Sequence, residues 1–122
     1  MQFPGSTLGA ALWASTAAHA AGAVLPGPAF PNYRDAGEVE AACDAGLAGA
    51  VARVLQFERV PASAAWLPAA DRLYAYVEDV SGPIYVLTTV HPDKAIRDAT
   101  EACELRWQDF NSTLGQNKKL LI

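Results

Sequence analysis

Histidine and cysteine are scarce in this chain. Its 122 residues include two histidines, His19 and His91, and two cysteines, Cys43 and Cys103. Neither histidine is followed by glutamate. The H-E-x-x-H helix, in which two imidazoles one turn apart bind zinc and the glutamate activates the metal-bound water, is therefore absent. The cysteines are isolated, so there is no C-x-x-C metal or redox motif. No serine sits in a G-x-S-x-G elbow, and Ser81-Gly82 lacks the flanking pattern. The glycines form neither a G-x-x-x-x-G-K nor a G-x-G-x-x-G phosphate cradle. No position in the chain is assigned a catalytic, cofactor-binding or metal-ligating role.

Positive charge is also in short supply. Nine Lys and Arg stand against thirteen Asp and Glu, for a net charge of −4 and a pI near 5.0. Apart from Lys118-Lys119 the basic residues are scattered singly, with no stripe and no aromatic ladder for bases. Composition thus excludes nucleic acid as a partner. No uninterrupted apolar run reaches the roughly eighteen residues of a membrane span.

Charge of either sign is missing altogether from residues 1–33, which hold four of the eight prolines. Leu8 to Ala18 is a short apolar run of small residues, and Ala18-His19-Ala20 has the A-x-A form of a signal-peptidase site. Leu25-Pro26-Gly27-Pro28 then reads as a linker. Residues 1–33 are expected to be a signal-peptide-like or disordered leader, which makes the product periplasmic or secreted. No Lys or Arg precedes the apolar run, so the positive n-region is missing and a cytoplasmic location is the alternative.

From Arg34 the periodicity is helical. Asp35 can cap a first helix, with Glu38 reaching back from three residues on. Val39, Cys43, Leu47, Ala50, Val54 and Phe57 form its apolar stripe, and Pro61 follows its end. Gly46 and Gly49 inside it cost about 1 kcal/mol each relative to alanine, so a close packing partner must offset them. A second helix is expected from Trp66-Leu67-Pro68, with the stripe Leu73, Val77, Val80, Ile84, Leu87. Gly82-Pro83 interrupts it, and Ile84 to Val90 is β-branched enough to pass for a strand. The helical phase survives the proline, which favours a kinked or restarted helix. A third helix starts near Pro92, with negative charge on Asp93 at its positive end. Its stripe is Ile96, Ala99, Cys103, Trp107, Phe110 and Leu114, and it is expected to continue past Gly115.

The expected fold class is all-α: an antiparallel bundle of about three helices, up-down-up, after the leader. Both cysteines then lie on core-facing stripes of helices running the same way. They read first as two buried thiols acting as small hydrophobes, with a disulfide as the alternative if the chain is exported. Glu78-Asp79 and Glu101 with Glu104 read as solvated helix faces. His91 reads as a helix-start residue. Asp93 with Arg97, Lys94 with Asp98 and Arg97 with Glu101 are i,i+4 pairs worth about 0.2–0.5 kcal/mol each.

The wording of the last helix carries a resemblance. His91-Pro92-Asp93, Ile96-Arg97-Asp98-Ala99, Glu101-Ala102-Cys103-Glu104, Trp107-Gln108-Asp109-Phe110 and Ser112-Thr113-Leu114-Gly115-Gln116-Asn117 resemble the zinc metallo-oligopeptidases of the thimet oligopeptidase and oligopeptidase A type. Upstream, Phe30-Pro31-Asn32-Tyr33 and Ala41-Ala42-Cys43-Asp44 are similar to their first helix. The resemblance implies that residues 34–122 are the N-terminal helical portion of a metalloendopeptidase, one wall of a channel that admits oligopeptides. Zinc would belong to the full-length parent, in a catalytic segment absent here, and this piece would bind none and be inactive alone. The chain stops on Lys118-Lys119-Leu120-Leu121-Ile122 without a helix-stop residue, which fits an expected C-terminal truncation. The alternative is a stand-alone helical binding or structural module without enzymatic activity.

Overall fold

The computed structural model describes residues 30–120, which fold as three α-helices with no strand among them. They are α1 (Ala36–Glu58), α2 (Trp66–Val90) and α3 (Lys94–Gly115). Of the expected leader at residues 1–33, residues 1–29, with the A-x-A site and His19, lie outside the described residues, while Tyr33 at its end packs against the core.

Capping sets the helix starts. The Asp35 carboxylate accepts the Glu38 N–H at 2.9 Å, as the capping pattern requires. The reciprocal arm is displaced by one residue: the Glu38 carboxylate accepts the Arg34 N–H at 2.8 Å. At α3 the cap is Asp93, which accepts the Ala95 N–H at 2.8 Å. Pro92 therefore precedes the cap, and the helix begins two residues after it, at Lys94. The third helix ends at Gly115 rather than continuing past it, with Gln116 at its C-cap. Pro68 sits in the first turn of α2, where its missing N–H has no helical acceptor to serve.

Residues 84–90, the segment with a strand alternative, are helical. The second helix runs through Pro83 to Val90 as one element. Its six buried residues, Ala70, Leu73, Val77, Ser81, Ile84 and Leu87, follow each other at spacings of three and four. Burial of that stripe on both sides of the proline outweighs the single backbone bond the ring removes.

All three helix pairs are in contact, and the pairings fix the topology. Cys43 meets Cys103, Asp44 meets Arg106 and Glu58 meets Asn117, so α1 and α3 run parallel. Phe57 faces Trp66 while Gly46 faces Val80, so α2 descends between them. The result is the up-down-up bundle that short connections imply. Its core joins Cys43, Ala50 and Phe57 of α1 with Leu73, Val77 and Ile84 of α2, and with Cys103, Trp107 and Leu114 of α3. Trp107 is fully buried, its ring edge-on to Phe110 at 5.6 Å.

The cysteines correct the first expectation. They are not free thiols: Cys43 and Cys103 form a disulfide, with Cα atoms 5.9 Å apart. Parallel packing of α1 and α3 brings two core positions, each about two turns into its helix, to the same height, and the Cα separation falls within the range a disulfide spans.

Candidate functional site

The residues with possible chemistry in the sequence do not converge. His91 ends α2 as its C-cap, and its Nδ1 accepts the Asp93 N–H at 3.0 Å. Glu78, Asp79 and Glu101 are exposed on helix faces, and Glu104 accepts a bond from Gln108 at 3.1 Å. Of the three expected i,i+4 pairs on α3, Lys94–Asp98 forms at 2.6 Å. Arg97 turns back instead and donates to the carbonyls of His91 at 2.7 Å and Pro92 at 2.9 Å. That places a cation on carbonyls at the α2 C-terminus, a better-directed contact than an exposed carboxylate one turn away. No group of three or more His, Cys, Asp or Glu able to hold a metal ion occurs among the described residues.

More specific geometry lies on the α1–α2 seam. A Cβ at Gly46 would stand 2.6 Å from Val80 Cγ1 and 3.2 Å from Trp107 Cζ2. A Cβ at Gly49 would fall on the Tyr76 hydroxyl and lie 3.0 Å from the ring carbon Cζ. These two glycines let the helices approach, which offsets their poor helix propensity. Into the space they leave, Tyr76 lays its ring and donates its hydroxyl to the Gly46 carbonyl at 3.1 Å. The Arg53 guanidinium stacks over that ring at 3.6 Å from its centroid and donates through Nη1 to the Gly49 carbonyl at 3.2 Å. A flexible cation is thus fixed by a ring face and a backbone acceptor.

Beside that stack a cleft of about 260 Å³ opens between α1 and α2. Arg53 and Gln56 line it from α1 and Arg72 from α2, over an apolar floor of Phe57, Ala69 and Leu73. No carboxylate lines it, and neither arginine is ion-paired among the described residues. Periodicity could not reveal this site, because its two cations come from different helices and both stand off the apolar stripes.

A second polar cluster forms where α1 ends, close to the cleft: Lys119 Nζ lies 5.8 Å from the centroid of the Phe57 ring. The Lys119 ammonium donates to the Glu58 carbonyl at 2.6 Å and to that of Val60. The Asn117 amide donates to the Glu58 carboxylate at 3.0 Å, and the Trp66 indole N–H to the Lys119 carbonyl at 3.2 Å. This supplies the cation that the last turn of α1 lacks in its own sequence. The fully buried indole nitrogen, Trp107 Nε1, has no hydrogen-bond partner among the described residues.

No protein-family profile, curated protein or solved structure matches the chain.

Proposed function

We propose that residues 31–120 act as an exported, disulfide-locked helical module that works by binding rather than by making or breaking bonds. The observation that carries this reading is the buried Cys43–Cys103 disulfide that joins α1 to α3. Structural disulfides persist in oxidising compartments and are rare where thiols are kept reduced. The leader-like composition of residues 1–33 agrees with export. The three helices spend their side chains on packing, capping and the arginine-lined cleft, which suits recognition.

The test is thiol titration of the protein taken directly from its native compartment into acid or an alkylating agent. No free thiol is expected before reduction and two after it, with the protein in the extracytoplasmic fraction. Two alkylatable thiols in protein from a cytoplasmic fraction would overturn the reading.

A second reading makes the same module the channel-wall N-terminal portion of a zinc oligopeptidase. It rests on the resemblance of residues 30–33, 41–44 and 91–117, the last of which span α3 and its flanks. On this reading zinc and its general base lie in another segment, and the 122-residue chain neither holds stoichiometric zinc nor cleaves a fluorogenic oligopeptide. Zinc-dependent cleavage by this chain alone would sink it, and a coding frame that runs on into H-E-x-x-H would favour it over the first.

A further inference from the structure

We infer that the cleft between α1 and α2 binds a small organic anion, a carboxylate joined to a short apolar body. This rests on the binding-module reading and names the ligand class. Two arginines, Arg53 of α1 and Arg72 of α2, line the cleft, together with Gln56. Beneath them Phe57, Ala69 and Leu73 supply a floor without charge. A planar, forked donor such as guanidinium matches a carboxylate, and two of them from different helices favour a negative charge placed between. The chain as a whole carries −4, so a mouth with two cations and no carboxylate is a local reversal of its field.

Pre-organisation strengthens the case. Arg53 is fixed before any ligand arrives, by its stack on Tyr76 at 3.6 Å and its bond to the Gly49 carbonyl at 3.2 Å. Holding it there depends on the missing side chain at Gly49, because a Cβ would collide with Tyr76 and stand 3.3 Å from Arg53 Nη1. Less side-chain freedom is then lost on binding. Size sets the class: at about 260 Å³ the cleft falls just below the roughly 300–1,000 Å³ of sites for drug-sized molecules. A head group and a body of a few carbons fit that space, whereas a long acyl chain does not.

The experiment titrates the oxidised 122-residue chain with hexanoate, followed by backbone and arginine Nε resonances, with hexanol and acetate as parallel probes. Hexanoate is expected to shift residues 53–60 and 69–73 and to bind about tenfold more tightly than either control, each of which lacks one half of the recognition. Arg72→Gln should weaken hexanoate about tenfold while leaving hexanol unchanged, since Arg72 makes no hydrogen bond or ion pair among the described residues. Arg72→Glu should abolish hexanoate binding, and unchanged circular dichroism of both variants shows that the fold is kept. Equal binding of hexanol, equal binding of acetate, an unchanged Arg72→Gln, or shifts mapping elsewhere would each overturn the inference. The thiol titration above is read separately, so loss of the ligand proposal and loss of the exported-module reading are distinguishable.

Discussion

The two parallel helices α1 and α3 are tied together at both ends, by different means. Toward the start of α1 the tie is covalent, the Cys43–Cys103 disulfide, with the exposed Arg106–Asp44 pair beside it at 2.8 Å. At its far end the tie is made of hydrogen bonds from Asn117 and Lys119, chiefly the Lys119 ammonium on the Glu58 and Val60 carbonyls. The covalent tie acts by restricting the unfolded chain and is indifferent to salt and to moderate pH. The polar tie stabilises only the folded state and depends on a single cation and its geometry. One end is therefore vulnerable to reductant, and the other to substitution.

The largest effect should come from breaking the covalent end. For cysteines 60 residues apart, loop-closure entropy alone predicts a contribution of about 4 kcal/mol. Urea denaturation of the Cys43→Ala/Cys103→Ala protein should show a loss of that order, and reductant should have no further effect on it. A loss smaller than that from Lys119→Met would reverse the ranking of the two ends.

Between the ends, the glycine seam is the next most sensitive position. Gly46→Ala gains helix propensity but drives a methyl to 2.6 Å from Val80, and a net loss of about 1–3 kcal/mol is expected. A stabilised Gly46→Ala protein, judged by the urea midpoint at unchanged slope, would mean that the seam yields easily and the end ties alone set the stability.

Lys119→Met keeps the apolar stem and removes the ammonium from two carbonyls at the end of α1. A loss of about 1 kcal/mol is expected. Because the two ties stand about fifteen residues apart along α1, roughly 22 Å at 1.5 Å per residue, the losses in the combined Cys and Lys119 variant should add within about 0.5 kcal/mol. A larger coupling energy would show that the ends communicate through the core.

The smallest effect lies at the α1 N-terminus. The Arg34 side-chain hydrogen bond, its backbone N–H and its charge hold the Glu38 carboxyl below its ordinary range. A depressed carboxyl stabilises the fold above its unfolded value, and that contribution is lost as pH falls through the lower folded value. The difference between wild type and Glu38→Gln should therefore be small at neutral pH and vanish on acidification. Both groups are exposed, so added salt should reduce it as well.

Much of this fold was legible in the sequence, for identifiable reasons. Apolar spacings of three and four placed the three stripes, and Asp35 and Asp93 marked helix starts because a carboxylate before an apolar run has few other local uses. Gly46 and Gly49 announced a close neighbour without naming it. The neighbour, Tyr76, stands at the edge of the Leu73–Val77–Val80 stripe and packs against the core, and the relative rotation of α1 and α2 brings its ring under Arg53. The disulfide stood open for a similar reason: periodicity placed both cysteines inward, but pairing depends on the height at which parallel helices meet. Lys119 was illegible too, since no local pattern tells a surface lysine that it will reach a carbonyl 61 residues away.

The disulfide also makes a covalent ring of the segment between Cys43 and Cys103, and the whole of α2 lies within it. A protease that cuts one peptide bond inside that ring, in residues 59–65 for example, leaves the chain a single molecule of almost unchanged mass. Its two parts separate only when the bond is reduced. Damage to the connection between α1 and α2 would thus pass unseen on a non-reducing gel. The nicked protein would keep both walls of the cleft tethered to one another.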